Sequence, residues 1–396
     1  MTDYSSVWKT AEQLPWCAFV TTGRTGSDFF HSLIDSHPEI LVFNGQIQFD
    51  QFWFDTAKSL KVEGEPDVND LACEFISFFL SRLRSRYDLF DRKNQLGENQ
   101  NQSVDVNLDE FREHLVGLMS GRPITSATFL RAVYVAYGLC TGQDIAERKV
   151  IFHHLHQVKR LPQFLEDVPD AKVLFMTRDP RAIYVSGVEH WRKHYPIADN
   201  PAFPMQILHR THTDMEKLMA LGDINIMALR LEDLGNKAIL ENACEWLGVS
   251  YAETMEQSTW GGLRWWGDKI SSNRAAKEEK GFSPSVIKNN WDQKLVAREL
   301  AIFDFLYGHA METYGYPYRD RSSVLARLWI AIAIWLPNTY EQKYLSPAHL
   351  ISQLAKGRVK DILRAFYHPL RRARFQTLVR KKIASGGQTY PNRFTE

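Results

Sequence analysis

The stretch Cys17-Ala18-Phe19-Val20-Thr21-Thr22-Gly23-Arg24-Thr25-Gly26-Ser27-Asp28 decides how the rest of this chain is read. Residues 17–23 form a short apolar run entering a glycine, the pattern of a buried strand. From Gly26 to Ser36 the apolar residues Phe29, Phe30, Leu33 and Ile34 recur at helical spacing, and His37-Pro38 closes that helix. Between strand and helix, Gly23 and Gly26 let the backbone curl. Successive N–H groups and the helix N-terminus can then face an anion. Arg24 adds a planar permanent charge that forks onto phosphate oxygens, and Ser27 adds a hydroxyl. The loop is not a Walker A motif, which would be longer and end in Lys. An ordinary glycine-bearing turn is the plain alternative.

Outward from this loop, residues 46–140 are mostly helical, interrupted by a polar loop at 91–107. Three further strand-like runs lie at 149–153, 171–177 and 224–230, each followed by a helical segment. Strands alternating with helices predict an α/β fold, a P-loop-like and mostly parallel sheet flanked by helices. Composition shifts near 319–323, dividing the chain into a catalytic domain over 1–320 and a helical basic extension over 321–396. Net charge is +1, yet Lys356 to Lys382 holds ten Lys/Arg against Asp361 alone, a local +9 that leaves about −8 for the remainder. Cys17, Cys73, Cys140 and Cys244 form no CxxC pair and suit free thiols in a reducing compartment. The opening residues show no signal-peptide pattern, and no run approaches the ~20 apolar residues of a membrane span, so a cytoplasmic protein is expected.

The second informative stretch is Phe175-Met176-Thr177-Arg178-Asp179-Pro180-Arg181-Ala182. Asp179 suits an N-cap and Pro180 the first helical turn. Arg178 then ends a strand at the carboxyl edge, where open α/β sheets bind ligands, and Ser186 lies about two turns into the helix. An Arg paired with an acid at the sheet edge is the plain reading of this motif taken alone.

Together the two motifs resemble the sulfotransferases that use 3′-phosphoadenosine-5′-phosphosulfate (PAPS), over roughly residues 15–318. The resemblance implies that Thr22, Gly23, Arg24, Thr25, Gly26, Ser27 and Asp28 hold the 5′-phosphosulfate, and that Arg178 and Ser186 hold the 3′-phosphate. Ile34-Asp35-Ser36-His37-Pro38-Glu39-Ile40 is similar to a segment of carbohydrate and tyrosine sulfotransferases, and Leu229-Arg230-Leu231-Glu232-Asp233-Leu234 to another family element. Trp260 to Ser272, with Lys280, Gly281, Phe282 and Trp291, is similar to the segment that folds over the nucleotide. Trp265 and Trp266 are expected to cover adenine or a sugar. The chain departs from the family in two places. Asp28 stands where many members have Thr or Ser, and no Glu follows the His-Pro-Glu-Ile element before Asp50.

That missing Glu leaves the catalytic base to be found. His153, from the run His153-His154-Leu155-His156, is the expected base, with Asp50 as the fallback and Arg24 stabilising the leaving phosphate. No metal is required by this reading, since three histidines within four residues of a strand end do not easily converge. His209 and His212 are expected to be structural. In the tail, Leu328–Leu336 is apolar but short, and Phe366, Tyr367, Leu370, Phe375 and Leu378 alternate with Arg371, Arg372, Arg374, Arg380 and Lys381. That pattern suits a peripheral anchor on an anionic membrane, on its inner face, better than nucleic acid; packing on the body or a dimer contact are the alternatives. A carbohydrate or lipid-linked hydroxyl acceptor in a bacterial setting is expected by analogy. Two rivals stay open, a small-molecule kinase with a variant loop and a non-catalytic nucleotide-binding scaffold.

Overall fold

The computed structural model describes residues 2–57, 67–84, 96–195, 199–222, 224–267, 290–384 and 390–396. Its centre is a six-stranded sheet of order β2-β3-β1-β4-β5-β8, with every neighbouring pair parallel. The strands are β1 (Trp16–Thr21), β2 (Ile40–Val42), β3 (Val150–Gln157), β4 (Lys172–Thr177), β5 (Ile226–Arg230) and β8 (Asn392–Arg393); Thr259–Trp260 and Leu263–Arg264 form a small antiparallel hairpin, β6 and β7. All six residues of β1 are buried, as a continuous apolar run at the centre of a parallel sheet should be.

Alternation along the strands divides the core in two. Trp16, Ala18, Val20, Ile151, Val173 and Phe175 join the larger cluster, whereas Cys17, Phe19, Phe152, Leu174 and Met176 face the smaller one. Helix α1 (Ser27–Ile34) contributes Phe30 and Ile34 to the smaller cluster. Helix α2 (Ser126–Cys140) contributes Phe129, Tyr134 and Tyr137 to the larger. Helices α3 (Pro180–His194) and α4 (Phe203–Met219) follow β4, α5 (Lys237–Leu247) follows β5, and α6 (Ala297–Thr313) packs against α3.

Past residue 320 the chain forms α7 (Val324–Ala333), α8 (Thr339–Leu345), α9 (Pro347–Ala355) and α10 (Val359–Ala384). These helices are tied to the body, where Thr339 Oγ1 donates to Glu299 at 2.7 Å and Asn338 Nδ2 to Tyr184 Oη at 2.9 Å, and to one another. Arg372 is buried on the inner side of α10, where it pairs with Glu341 at 2.8 Å and donates to the carbonyls of Ile334 (2.9 Å) and Leu336 (2.8 Å). The chain then returns as β8, whose Asn392 and Arg393 pair with Met227 and Ala228. Residues beyond 320 thus both pack on the preceding domain and extend its sheet. No helix of the described residues is long and apolar enough to cross a membrane.

The candidate active site

The loop from β1 to α1 combines three left-handed residues, Gly23 (φ 89°), Arg24 (φ 56°) and Gly26 (φ 80°). A Cβ at Gly26 would lie 2.4 Å from Leu231 Cδ1, so only glycine fits both the backbone and the packing there. Inside the loop the hydroxyls of Thr21 and Thr25 are hydrogen-bonded to each other, and Thr21 Oγ1 also accepts from Gly23 N–H at 3.0 Å. Thr22 is buried and its hydroxyl has no hydrogen-bond partner among the described residues.

The second motif meets this loop. Asp179 caps α3 by accepting from Arg181 N at 2.9 Å, and Pro180 occupies the first turn. Ser186, on the same helix, accepts from Arg24 Nε at 3.3 Å, and Arg178 Nη1 donates to the Arg24 carbonyl at 3.5 Å. Burial pushes the Arg178 guanidinium below its usual range, an effect opposed by Glu232, Tyr316 and Asp179. Glu232 is pushed up by its own burial and accepts from Tyr316 Oη at 3.1 Å. The Leu229–Leu234 element thus supports the site from two sides, with Leu231 beneath Gly26 and Glu232 beside Arg178.

A further cation was not singled out in the sequence. Arg210, exposed on α4 and paired with Asp214 at 3.6 Å, reaches over Gly23, its Nη2 3.5 Å from where a Cβ would stand. Nothing in the sequence marks it, because contact between α4 and the loop depends on tertiary packing. Asp28 lies close enough to His31 and His156 to favour their charged forms.

The histidine run divides between the two faces of the sheet. His153 points to the α2 side, where Nδ1 shares a 2.9 Å hydrogen bond with Tyr134 Oη and the ring stacks on Phe164 at 5.0 Å. Burial lowers it to about 3. Its pairing with Ala18 sets it three positions short of Thr21, ~10 Å back along the sheet. Asp50, the fallback, lines the same small cavity as His153 and is held by the guanidinium of Arg160. The two expected bases are therefore brought together, but in the larger core rather than beside the loop.

On the opposite face, a bulge shifts the register so that Phe19 pairs with His154 and Val20 with His156. His156 takes a left-handed backbone (φ 66°), one position from Thr21 in the paired register. Its Nδ1 meets His154 Nε2 at 3.3 Å, and the His154 ring stacks on His31 at 5.2 Å. Burial lowers all three rings; His156 comes to about 4, with Asp28 pulling it up and Arg210 and Arg82 pushing it down. His156 nevertheless stays partly accessible, unlike His31 and His154.

The other resemblances resolve as structure. The His-Pro-Glu-Ile element lies at the amino edge of the sheet, where Glu39 pairs with Lys149 (2.5 Å) and accepts from Ser250 N (2.6 Å). Trp265 and Trp266 are buried, the first beside Phe29 and Trp260 and the second beneath Arg264. Asp35 accepts from Gly261 N (3.0 Å) and Gly262 N (2.8 Å), fixing the hairpin turn that carries them. Lys280 and Gly281 lie outside the described residues.

A family model described as "Sulfotransferase family" matches residues 18–253. The chain belongs to the sulfotransferase family. Among solved structures it is similar to the sulfotransferase domain from the Synechococcus PCC 7002 olefin synthase, at 17% identity and a TM-score of 0.44, covering 78% of this chain and 97% of that one. It is also similar to the sulfotransferase domain from the curacin biosynthetic pathway, at 14% identity and a TM-score of 0.38, covering 81% and 98%. A search of curated proteins gave no match. This sulfotransferase has the mostly parallel sheet, flanking helices and helical C-terminal extension expected from its sequence.

Proposed function

We propose that this sulfotransferase moves a sulfuryl group from PAPS to a hydroxyl of a carbohydrate or lipid-linked acceptor. The observation that carries the proposal is the convergence of Arg24, Arg178 and Ser186, from two motifs more than 150 residues apart, on one loop at the carboxyl edge of the sheet. Backbone N–H groups of 24–27, the buried Thr22 hydroxyl, Arg24 and Arg210 supply donors for a phosphosulfate; Arg178 and Ser186 supply them for the 3′-phosphate.

In this mechanism the acceptor oxygen bonds to sulfur as the bond from sulfur to the 5′-phosphate oxygen breaks. The acceptor proton passes to the protein, and 3′,5′-diphosphoadenosine leaves. The cations of the loop stabilise charge growing on the leaving oxygen. We assign the proton to His156, which stands beside the loop; contact with His154 occupies Nδ1 and leaves Nε2 for the hydroxyl. At neutral pH its lowered affinity for protons keeps the ring in the accepting form. The four free thiols suit work in a reducing, cytoplasmic compartment.

Calorimetry with 3′,5′-diphosphoadenosine and with ADP tests the nucleotide assignment. A preference of at least about tenfold for the 3′-phosphorylated ligand is expected from a charge-assisted contact. Equal affinities would remove Arg178 and Ser186 from the 3′-phosphate. Transfer of radiolabelled sulfate from PAPS to glycolipid and polysaccharide fractions then identifies the acceptor class.

A further inference from the structure

Among the described residues, fifteen of the nineteen exposed large apolar side chains lie between 324 and 378. On α7, Leu325, Leu328, Trp329 and Ile332 follow helical spacing on the outer face, and Leu325 is 80% exposed. On α10, Leu363, Phe366, Tyr367 and Leu370 do the same, with Leu363 65% exposed. The opposite faces are already satisfied: Ile330, Ala333 and Ile334 are buried, as are Ala365, Arg372, Ala373 and Val379. Arg372 ties α10 to the end of α7 through the carbonyls of Ile334 and Leu336, so the two outer stripes belong to one braced unit.

We infer that this outer face docks the enzyme on the surface of an anionic lipid bilayer. Charge selects the occupant. Lys356 and Arg358 just before α10, and Lys360, Arg364, Arg371 and Arg374 on it, are exposed, against a single acid, Asp361. A second copy of the chain would bring two such positive faces together, whereas acidic headgroups neutralise them. Length selects the depth. The ten residues of α7 extend only ~15 Å, half a bilayer core, so the helix lies in the interface instead of crossing it. Trp329, Trp335 and Tyr367, exposed here, are side chains that favour the headgroup boundary.

The test uses the full chain, without nucleotide, so that its outcome is independent of the PAPS assignment. Flotation with phosphatidylcholine vesicles, plain or doped with phosphatidylglycerol, should recover the protein only with the anionic set, and less at high salt. Leu325→Gln/Leu328→Gln/Ile332→Gln should reduce recovery at least about tenfold, because each side chain loses its apolar insertion. Arg371→Gln/Arg374→Gln should lose the preference for anionic lipid. These positions are exposed, and unchanged thermal melting verifies folding. Protein that stays unbound with both vesicle sets overturns the inference. So does a wild-type dimer, seen by analytical ultracentrifugation without lipid, that the apolar triple variant converts to monomer.

Discussion

Arg24 Nε donates to Ser186 Oγ at 3.3 Å, joining the turn after the first strand to a helix 162 residues later. Either side chain, placed by its own element alone, would serve only local structure. Their contact ties together the two halves of the proposed nucleotide site. Ser186→Ala should therefore weaken 3′,5′-diphosphoadenosine by roughly tenfold, the loss of one hydrogen bond to a charged group, while leaving ADP affinity unchanged. Calorimetry on both ligands reads this directly, and an equal loss for both would assign Ser186 to holding Arg24 instead.

Gly26→Ala should lower stability by about 1–3 kcal/mol, since it strains a left-handed residue and drives a methyl into Leu231. In a Leu231→Ala background the overlap is gone and only the backbone strain remains, so chemical denaturation should show Gly26→Ala costing less there than in the wild type. No cost at all in that background would mean that packing, and not conformation, demands the glycine.

His156→Ala should cut turnover ~10²–10⁴-fold with nucleotide affinity retained. His153→Gln, which can still bond Tyr134, should keep near-normal turnover. Steady-state kinetics on the two variants decides the pair; the reverse result would return the role to the α2 side of the sheet. The wild-type pH–rate profile should fall on its acidic side as His156 becomes protonated and can no longer accept.

The strands β1 and β4 were legible as apolar runs buried on both faces, and β3 and β5 through shorter apolar stretches, 150–152 and 226–229. Asn392-Arg393 was not, since two polar residues on an edge carry no periodic signal. The histidine run shows a subtler limit. Simple alternation correctly puts His153 on one face and His154 with His156 on the other, but the bulge slips the register against β1 so that His156, and not Leu155, pairs with Val20 beside the loop, and no spacing rule announces that bulge. Arg210 was hidden for another reason, because a helical pattern identifies α4 without saying which loop its polar face will meet.

Buried histidines also predict acid sensitivity. The folded His153 sits near 3, well below an unfolded value of about 6.5, so the unfolded chain takes up protons first as pH falls. The stability tied to its neutral form is intact above about pH 6.5 and is lost progressively toward pH 3, by up to ~1.4 kcal/mol per pH unit. His153→Gln should flatten the decline in urea midpoint between pH 7 and 5. An unchanged slope would place the sensitivity in His31, His154 or His156.

Breaking the buried Arg372–Glu341 pair by Arg372→Met should cost about 3–5 kcal/mol, because Glu341 is left charged and enclosed. Arg372→Met/Glu341→Leu should recover most of that loss in the same denaturation assay. If the single variant melts like wild type, the pair does not brace the tail helices.

The pairing of β8 with β5 also bears on how the protein is made. During synthesis β5 leaves the ribosome long before Asn392 and Arg393 exist to cover its outer edge. Through that interval the nascent sheet presents a row of unpaired amide and carbonyl groups, the kind of edge that recruits foreign strands. The four helices that precede β8 thus set how long that edge stays open while the chain is being made.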